Sequence, residues 1–284
     1  MKGIILAGGA GTRLNPLTAA ISKQALPIYD KPLIYYPLST LISLGINEIL
    51  VISSPDQVNC FKSILGNGER FGINLSFSIQ EKPRGIAEAL IIGEPFIKQD
   101  SCALILGDNI FISDTINSSE TANFKQGAKI FTIAVKDPER YGVINILNNR
   151  PVDIIEKPKE FISNNAVTGL YFYDNDAPSI CKKLKPSDRN ELEITDLNKI
   201  YLKKSMLTVL PMGASDVWLD AGTFESLLDA GNYISALQKR LGRLVGSPEL
   251  TSYKQGFLTR KDLLNYIKSA PDNSYYQSLR SSII

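Results

Sequence analysis

The 284-residue chain contains no histidine. That absence excludes Ser-His-Asp and Cys-His nucleophile systems. It also excludes imidazole-ligated zinc or iron and histidine pH switches. Chemistry here has to run on carboxylates, Lys, Arg, hydroxyls, backbone amides or a hard metal ion. Cysteine is scarce: Cys60, Cys102 and Cys181 are odd in number and widely spaced. A disulfide framework or a zinc ribbon needs more, and closer. A reducing compartment suits them. Excess charge is missing too, since 31 basic and 29 acidic residues leave only +2. Nucleic acid or an anionic membrane calls for a stronger footprint, so neither is an expected partner. Long apolar runs are also lacking. The N-terminal run is apolar for only a few residues before Arg13, shorter than a secretory core, and no stretch approaches the roughly 20 residues of a membrane span. The expected location is the cytoplasm.

What is present suits an ordinary globular enzyme-sized chain. Hydrophobic residues make up 44%, enough for a full core. Gly3–Ala7, Glu48–Ile52, Leu75–Ile79 and Ala103–Leu106 read as strands. Helical spacing predicts Tyr35–Leu44, stopped at Gly45, then Asp56–Leu65 and Ile86–Ile92. The alternation predicts an α/β fold: a Rossmann-like, mainly parallel mixed sheet flanked by helices. Lys129–Val135, Gly142–Leu147, Val152–Ile155 and Val167–Tyr173 read as strands without helices between them, a small, partly antiparallel part. Helices return at Ala177–Leu184 and Ile194–Lys203, and apolar residues at i, i+3, i+4 and i+7 from Phe224 predict a long helix over Thr223–Leu241. The chain divides into a core, 1–240, and a C-terminal helical extension, 241–284.

The first strand runs into Gly8-Gly9-Ala10-Gly11-Thr12-Arg13-Leu14. Glycines at a strand-to-helix turn let a ligand approach the backbone, and consecutive N–H groups form an anion cradle. No Walker loop is present, because Gly-Lys-Ser/Thr is absent. The dinucleotide fingerprint fits at Gly9-x-Gly11, with Asp30 at a suitable distance, but position 14 is Leu, and Pro16, Pro27 and Pro32 interrupt the interval. A nicotinamide oxidoreductase and a tight turn without ligand both stay open on these residues alone. Asp108 closes a buried strand, where an acid faces the ligand crevice of an open sheet; it is a candidate ligand for Mg²⁺ or a cap on the next turn. Asp220 offers a second carboxylate before the long helix, with Thr223 as that helix's N-cap.

The glycine-rich turn continues into Ser22-Lys23-Gln24 and Asp30-Lys31-Pro32, then Tyr35-Tyr36-Pro37-Leu38. With these motifs the chain resembles the glucose-1-phosphate thymidylyltransferases of the sugar nucleotidyltransferase superfamily, from Lys2 to about Phe257. The resemblance implies transfer of a thymidylyl group from dTTP to glucose 1-phosphate, with Mg²⁺ on Asp108 and Asp220. It implies Arg13 and Lys23 at the phosphates and Lys157 at the sugar phosphate. Leu6, Gly8, Gly11, Thr12, Gln24, Gln80 and Gly85 are then the nucleotide contacts, with Gln80 on the base. Gly142, Glu156, Val167 and Tyr171 are the sugar contacts. A homotetramer with a second nucleotide site near a subunit interface is the family's usual assembly. Ile112-Ser113-Asp114 and Leu250-Thr251 depart from the family's pattern at that second site, which predicts weaker or changed feedback; Ala25, Ala214-Ser215 and Ala221 depart from it elsewhere. These departures motivate an alternative, a non-catalytic nucleotide-sugar sensor on the same scaffold.

Overall fold

The structure is a computed structural model that describes residues 1–9, 11–148 and 150–283. Ala10 of the glycine-rich turn lies outside the described residues. β1 (Lys2–Ala7) leads into that turn. Two short strands, β2 (Pro27–Ile28) and β3 (Lys31–Pro32), form a hairpin before α1 (Tyr35–Ser43). The chain then alternates through β4 (Glu48–Ser53), α2 (Val58–Leu65), β5 (Asn74–Ile79), α3 (Glu88–Ile97) and β6 (Cys102–Leu106). The middle holds β7 (Asn109–Ile112), α4 (Ser118–Ala122), β8 (Ala128–Ala134), β9 (Gly142–Leu147), β10 (Arg150–Glu156) and β11 (Asn165–Tyr173). After it come α5 (Ala177–Cys181), α6 (Ile194–Lys203), β12 (Leu207–Pro211), β13 (Val217–Asp220) and α7 (Phe224–Leu241). The chain closes with α8 (Pro248–Gln255), α9 (Arg260–Ser269) and α10 (Ser274–Ser281).

Nine strands form one mixed sheet along β10-β9-β11-β6-β1-β4-β5, with β8 joining β11 to β12. β6, β1, β4 and β5 are mutually parallel, whereas β11 runs antiparallel to β6, β8 and β9. The expected mainly parallel sheet with an antiparallel part is therefore present, and the middle strands extend the sheet itself. Side chains alternate across it. Ile5 and Ile105, paired in register, face α1 and α2 with Leu38, Leu41 and Phe61. Ile4 and Leu104, the neighbouring pair, face the other side with Leu90 of α3, Leu197 and Tyr201. Both faces are covered, as a parallel sheet requires.

Local chemistry moves some boundaries. α3 begins at Glu88 rather than Ile86, because residues 80–87 are held as a loop against Leu192: Leu192 N donates to Arg84 O (2.7 Å) and Ala87 N to Leu192 O (3.2 Å). α2 begins at Val58 rather than Asp56, after a turn in which Gln57 N donates to Ser54 O. α5 stops at Cys181, short of Leu184. The β7–β13 ribbon is not visible in the apolar pattern. Each strand has four residues, and Asp220 pairs in register with Asn109 from far along the chain. Thr223 caps α7 as expected, its hydroxyl accepting from Ser226 N (3.2 Å).

Candidate functional site

The chain passes from β1 to β4 to β5, then α3 carries it back to β6 on the other flank of β1. The carboxyl ends of β1 and β6 therefore diverge into a crevice at a topological switch point. The glycine-rich turn follows β1, and Gly107-Asp108 follows β6. The two are tied together by Gly107 N donating to Leu6 O (2.9 Å). Gly11 has φ +61°, the left-handed region that glycine tolerates, and opens a single 3-10 turn over Thr12–Leu14. Thr18 Oγ1 donates to the Gly11 carbonyl (2.8 Å) and closes the turn.

A cleft of about 450 Å³ opens there. Of the residues nominated from sequence, Arg13, Asp108, Gly142, Glu156, Lys157, Val167, Tyr171 and Asp220 all line it. A larger hollow of about 660 Å³ lies between α2 and α9 and contains none of the nominated residues. Leu6, Gly8, Gly11, Thr12, Lys23, Gln24, Gln80 and Gly85 do not line the cleft. Several of them meet one another beside it. A Cβ on Gly8 would meet Gln80 Oε1 at 2.7 Å, one on Gly11 would meet Lys23 Cβ at 3.5 Å, and one on Gly107 would meet Gln24 Cγ at 3.0 Å. Asp30 is elsewhere, in the β2–β3 hairpin, where Lys31 pairs with it and Gln238 Nε2 donates to it (2.8 Å). It is not at the end of the strand next to β1, so the dinucleotide arrangement is not built.

The two cleft aspartates have different surroundings. Lys23 forms an ion pair with Asp108, and Asn109 Nδ2 donates to its other oxygen (2.8 Å). Burial raises the Asp108 carboxyl, but the Lys23 charge and these hydrogen bonds outweigh it and hold the group below the ordinary carboxylate value. Asp220 pairs with Arg140 Nη2 at 2.8 Å. Burial raises Asp220 and the Asp108 charge adds to it; Arg140 and Tyr141 pull it down only in part, so it stays above the ordinary value. Asn109 organises the floor: its Oδ1 accepts from Gly169 N (3.0 Å) and from Trp218 Nε1 (2.6 Å). Any Cβ at position 169 would fall 2.4 Å from that oxygen, so Gly169 makes the contact possible.

The opposite wall is built around Glu156. Its Oε2 accepts from Thr195 Oγ1 (2.6 Å), and Arg189 Nη2 lies 3.3 Å from Oε1. Gly142 leaves room here, since a Cβ would sit 3.1 Å from Thr195 Oγ1. Lys157 has φ +43°, unusual for a side-chain-bearing residue, and its N–H donates to Tyr141 O (2.9 Å). Backbone strain of this kind concentrates at ligand sites. Val167 and Tyr171 are 8% and 4% exposed, so they contribute surface more than polar contact. Sequence reasoning missed Asn109, Arg140, Thr195 and Trp218 as cleft residues. Adjacency was a local signal for three of them, Asn109 beside Asp108, Arg140 two residues before Gly142 and Trp218 two before Asp220; Thr195 enters from a segment in which no residue was nominated.

Among the described residues no cluster of three or more His, Cys, Asp or Glu side chains converges as a metal cage. Two carboxylates on one cleft fit a different chemistry. Mg²⁺ commonly takes one or two carboxylates and completes its shell with phosphate oxygens and water. The oxygen-only donor set and the cationic neighbours Arg13, Lys23 and Lys157 suit a metal–phosphate ligand.

A parallel sheet with a glycine-rich turn, a strand-end aspartate and cations around an open cleft defines a phosphate-handling transferase. The chain belongs to the nucleotidyl transferase family, whose model matches residues 2–236. Relatives spanning nearly the whole chain are glucose-1-phosphate thymidylyltransferases. The Neisseria meningitidis (serogroup A / serotype 4A) enzyme is 47% identical over 282 residues, covering 98% of each chain. The Mycolicibacterium smegmatis enzyme is 46% identical over 277 residues, covering 97% of this chain and 96% of its own. A Bacillus anthracis structure assigned to the same activity and solved with sucrose has a TM-score of 0.77 at 45% identity, covering 82% of this chain and 94% of that one. No helix among the described residues is long and apolar enough to cross a membrane.

Proposed function

We propose that the protein transfers a thymidylyl group from dTTP to glucose 1-phosphate, forming dTDP-glucose and pyrophosphate, the first step of dTDP-sugar synthesis. The observation that carries the reading is the placement of Asp108 and Asp220 in one cleft with Arg13, Lys157 and Glu156, supported by the full-length relatives. A phosphate oxygen of the sugar phosphate attacks the α-phosphorus in line. It is already an anion at neutral pH, so no general base is required. Catalysis is then positioning and charge stabilisation.

Lys157 aims the sugar phosphate, and Glu156, fixed by Thr195, holds sugar hydroxyls beside Gly142, Val167 and Tyr171. Arg13 and Lys23 steady the triphosphate and the leaving pyrophosphate. Leu6, Gly8, Gly11, Thr12 and Gln24 cradle the nucleotide, and Gln80 and Gly85 contact the base. Asp108 and Asp220 hold Mg²⁺, which supplies neutralisation of the α-phosphate charge. Residues 1–240 carry this chemistry, and the 241–284 extension packs on them. The working form is a cytoplasmic homotetramer.

Pyrophosphate release from dTTP and glucose 1-phosphate with Mg²⁺ tests the reading. Binding of dTTP without turnover on any sugar 1-phosphate would reject it in favour of a nucleotide-sugar sensor. Preferred turnover with UTP or another sugar 1-phosphate would instead assign a related transferase.

A further inference from the structure

We propose that Asp216, at the end of the β7–β13 ribbon away from the cleft, is a positioning residue that fixes the spacing of the two cleft aspartates. The inference rests on the reading of Asp108 and Asp220 as the metal carboxylates of the transfer reaction. The ribbon is a two-stranded sheet separate from the nine-stranded one. Its register runs from Val217 opposite Ile112 to Asp220 opposite Asn109, and Ala221 N continues it by donating to Asp108 O (3.2 Å). Both carboxylates therefore sit at one end of a short ladder, and any shear of β13 against β7 changes their separation. Two strands alone make a marginal unit, so the ladder depends on what holds it from outside.

Side chains alternate across the ribbon. Ile110, Ile112 and Leu219 pack with Tyr36 of α1 and Ile234 of α7, while Asn109, Trp218 and Asp220 line the cleft. Apolar packing holds the first face but has no direction, so it does not fix the register. Hydrogen bonds do, at both ends. At the cleft end Asn109 Oδ1 accepts from Gly169 N and Trp218 Nε1. At the far end stands Asp216, 8% exposed. Its Oδ1 accepts from Asp114 N (3.1 Å), just past β7, and its Oδ2 from Gly213 N (2.8 Å). Its own N–H donates to Gly213 O (3.0 Å) and closes the turn that enters β13. One carboxylate thus ties the chain leaving β7 to the chain entering β13. Burial raises this carboxyl, but the Thr115 and Ser113 hydroxyls and the two N–H groups outweigh it and hold it below the ordinary value. Asp216 lies four residues before Asp220, about 13 Å along an extended strand, so it acts on the metal site only through the ladder.

The test compares the wild type with Asp216→Ala, which removes both acceptors, and Asp216→Asn, which keeps one. Three quantities are measured: the Mn²⁺ dissociation constant, from the paramagnetic resonance of the free ion; the Mg²⁺ concentration that half-saturates turnover; and dTTP binding in EDTA. The expected result is metal binding weakened about tenfold in Asp216→Ala, the scale of losing a group that orients a metal ligand, and less in Asp216→Asn. Metal-free dTTP binding should stay within about twofold, since the ladder carries the carboxylates and not the glycine-rich turn. A lower melting temperature with unchanged metal constants is the mark of a merely structural role and overturns the inference. Equal losses of metal and dTTP binding overturn it as well. If Asp216→Ala does not fold, Asp216→Asn decides by the same comparison. A wild type that binds Mn²⁺ but turns over no sugar 1-phosphate fails the functional reading alone, and the Mn²⁺ constants still decide the inference. A wild type that takes up no Mn²⁺ overturns it.

Discussion

Arg140 Nη2 donates to Asp220 Oδ2 at 2.8 Å while Lys23 pairs with Asp108, so each carboxylate of the cleft holds a cation of its own. Two acids on one cleft repel, and the repulsion is strongest where water is excluded. The paired cations relieve it in the absence of a ligand. On the proposed function, a metal–triphosphate would supply the charge that replaces these cations and the phosphates to which they could turn.

Replacing Asp108 by Asn removes the carboxylate that Lys23 and Asn109 hold in its charged form. We expect pyrophosphate release to fall about 100-fold or more, the scale of losing one well-placed electrostatic group. Circular dichroism should show the fold retained. Near wild-type turnover would remove Asp108 from the mechanism.

Arg140→Met leaves Asp220 largely buried with less compensation, since its side chain is 23% exposed. Stability without metal should drop by about 1–3 kcal/mol. Addition of Mg²⁺ should recover more of the melting temperature in the variant than in the wild type, because a bound cation then meets an uncompensated acid. Equal Mg²⁺ responses in the two proteins would show that Arg140 and the metal do not share Asp220.

Thr223→Ala tests the cap that follows the second aspartate. Thr223 and Ser226 form a reciprocal capping box, and Ser226 Oγ also accepts from Gly222 N (2.9 Å). The loss should be about 1 kcal/mol in denaturant melts, with kcat little changed. A variant as stable as the wild type would mean that packing, not the cap, holds the start of α7.

Thiol chemistry has a clear direction. Cys102 and Cys181 are buried, and Cys60 is partly exposed. Burial pushes the Cys102 thiol far up and Cys181 to about 12. Near pH 8 a thiol reagent should titrate one group quickly and all three only after denaturation. The raised thiols bind their protons more tightly when folded than when unfolded. Their contribution is therefore complete below about pH 8.5 and is lost as pH rises beyond it. Melting temperature should fall on that alkaline limb, and Cys181→Ala should flatten it.

The resemblance implies a second nucleotide site at which Ile112-Ser113-Asp114 and Leu250-Thr251 depart from the family's pattern, so feedback by a dTDP-sugar end product should be weak or altered. Initial rates against rising dTDP-rhamnose measure this. Strong inhibition at low concentration would show that these substitutions leave the site working.

The parallel half of the fold was legible because buried strands such as Gly3–Ala7 and Ala103–Leu106 are continuous apolar runs, and their periodicity survives without knowledge of neighbours. Asp108 was legible for the same reason, as an acid closing such a run. The β7–β13 ribbon was not: four-residue strands show too little alternation, and their pairing joins distant segments. Helix starts moved where tertiary hydrogen bonds claimed the first turn, as Leu192 does for residues 84–87.

By itself, the sequence determined which chemistry was open: no imidazole, a glycine-rich turn after the first strand, and acids and lysines able to handle phosphate. Only the tertiary structure decided which charge meets which. Arg140 finds Asp220 across 80 residues, and Trp218 finds Asn109 across 109. Gln80 Nε2 donates to Glu88 Oε2 (2.8 Å) across a loop that is folded back against Leu192. Local pattern reports what a residue can do within a turn or two of chain. Charge pairing and amide orientation depend on distances of about 3 Å, and only packing sets those.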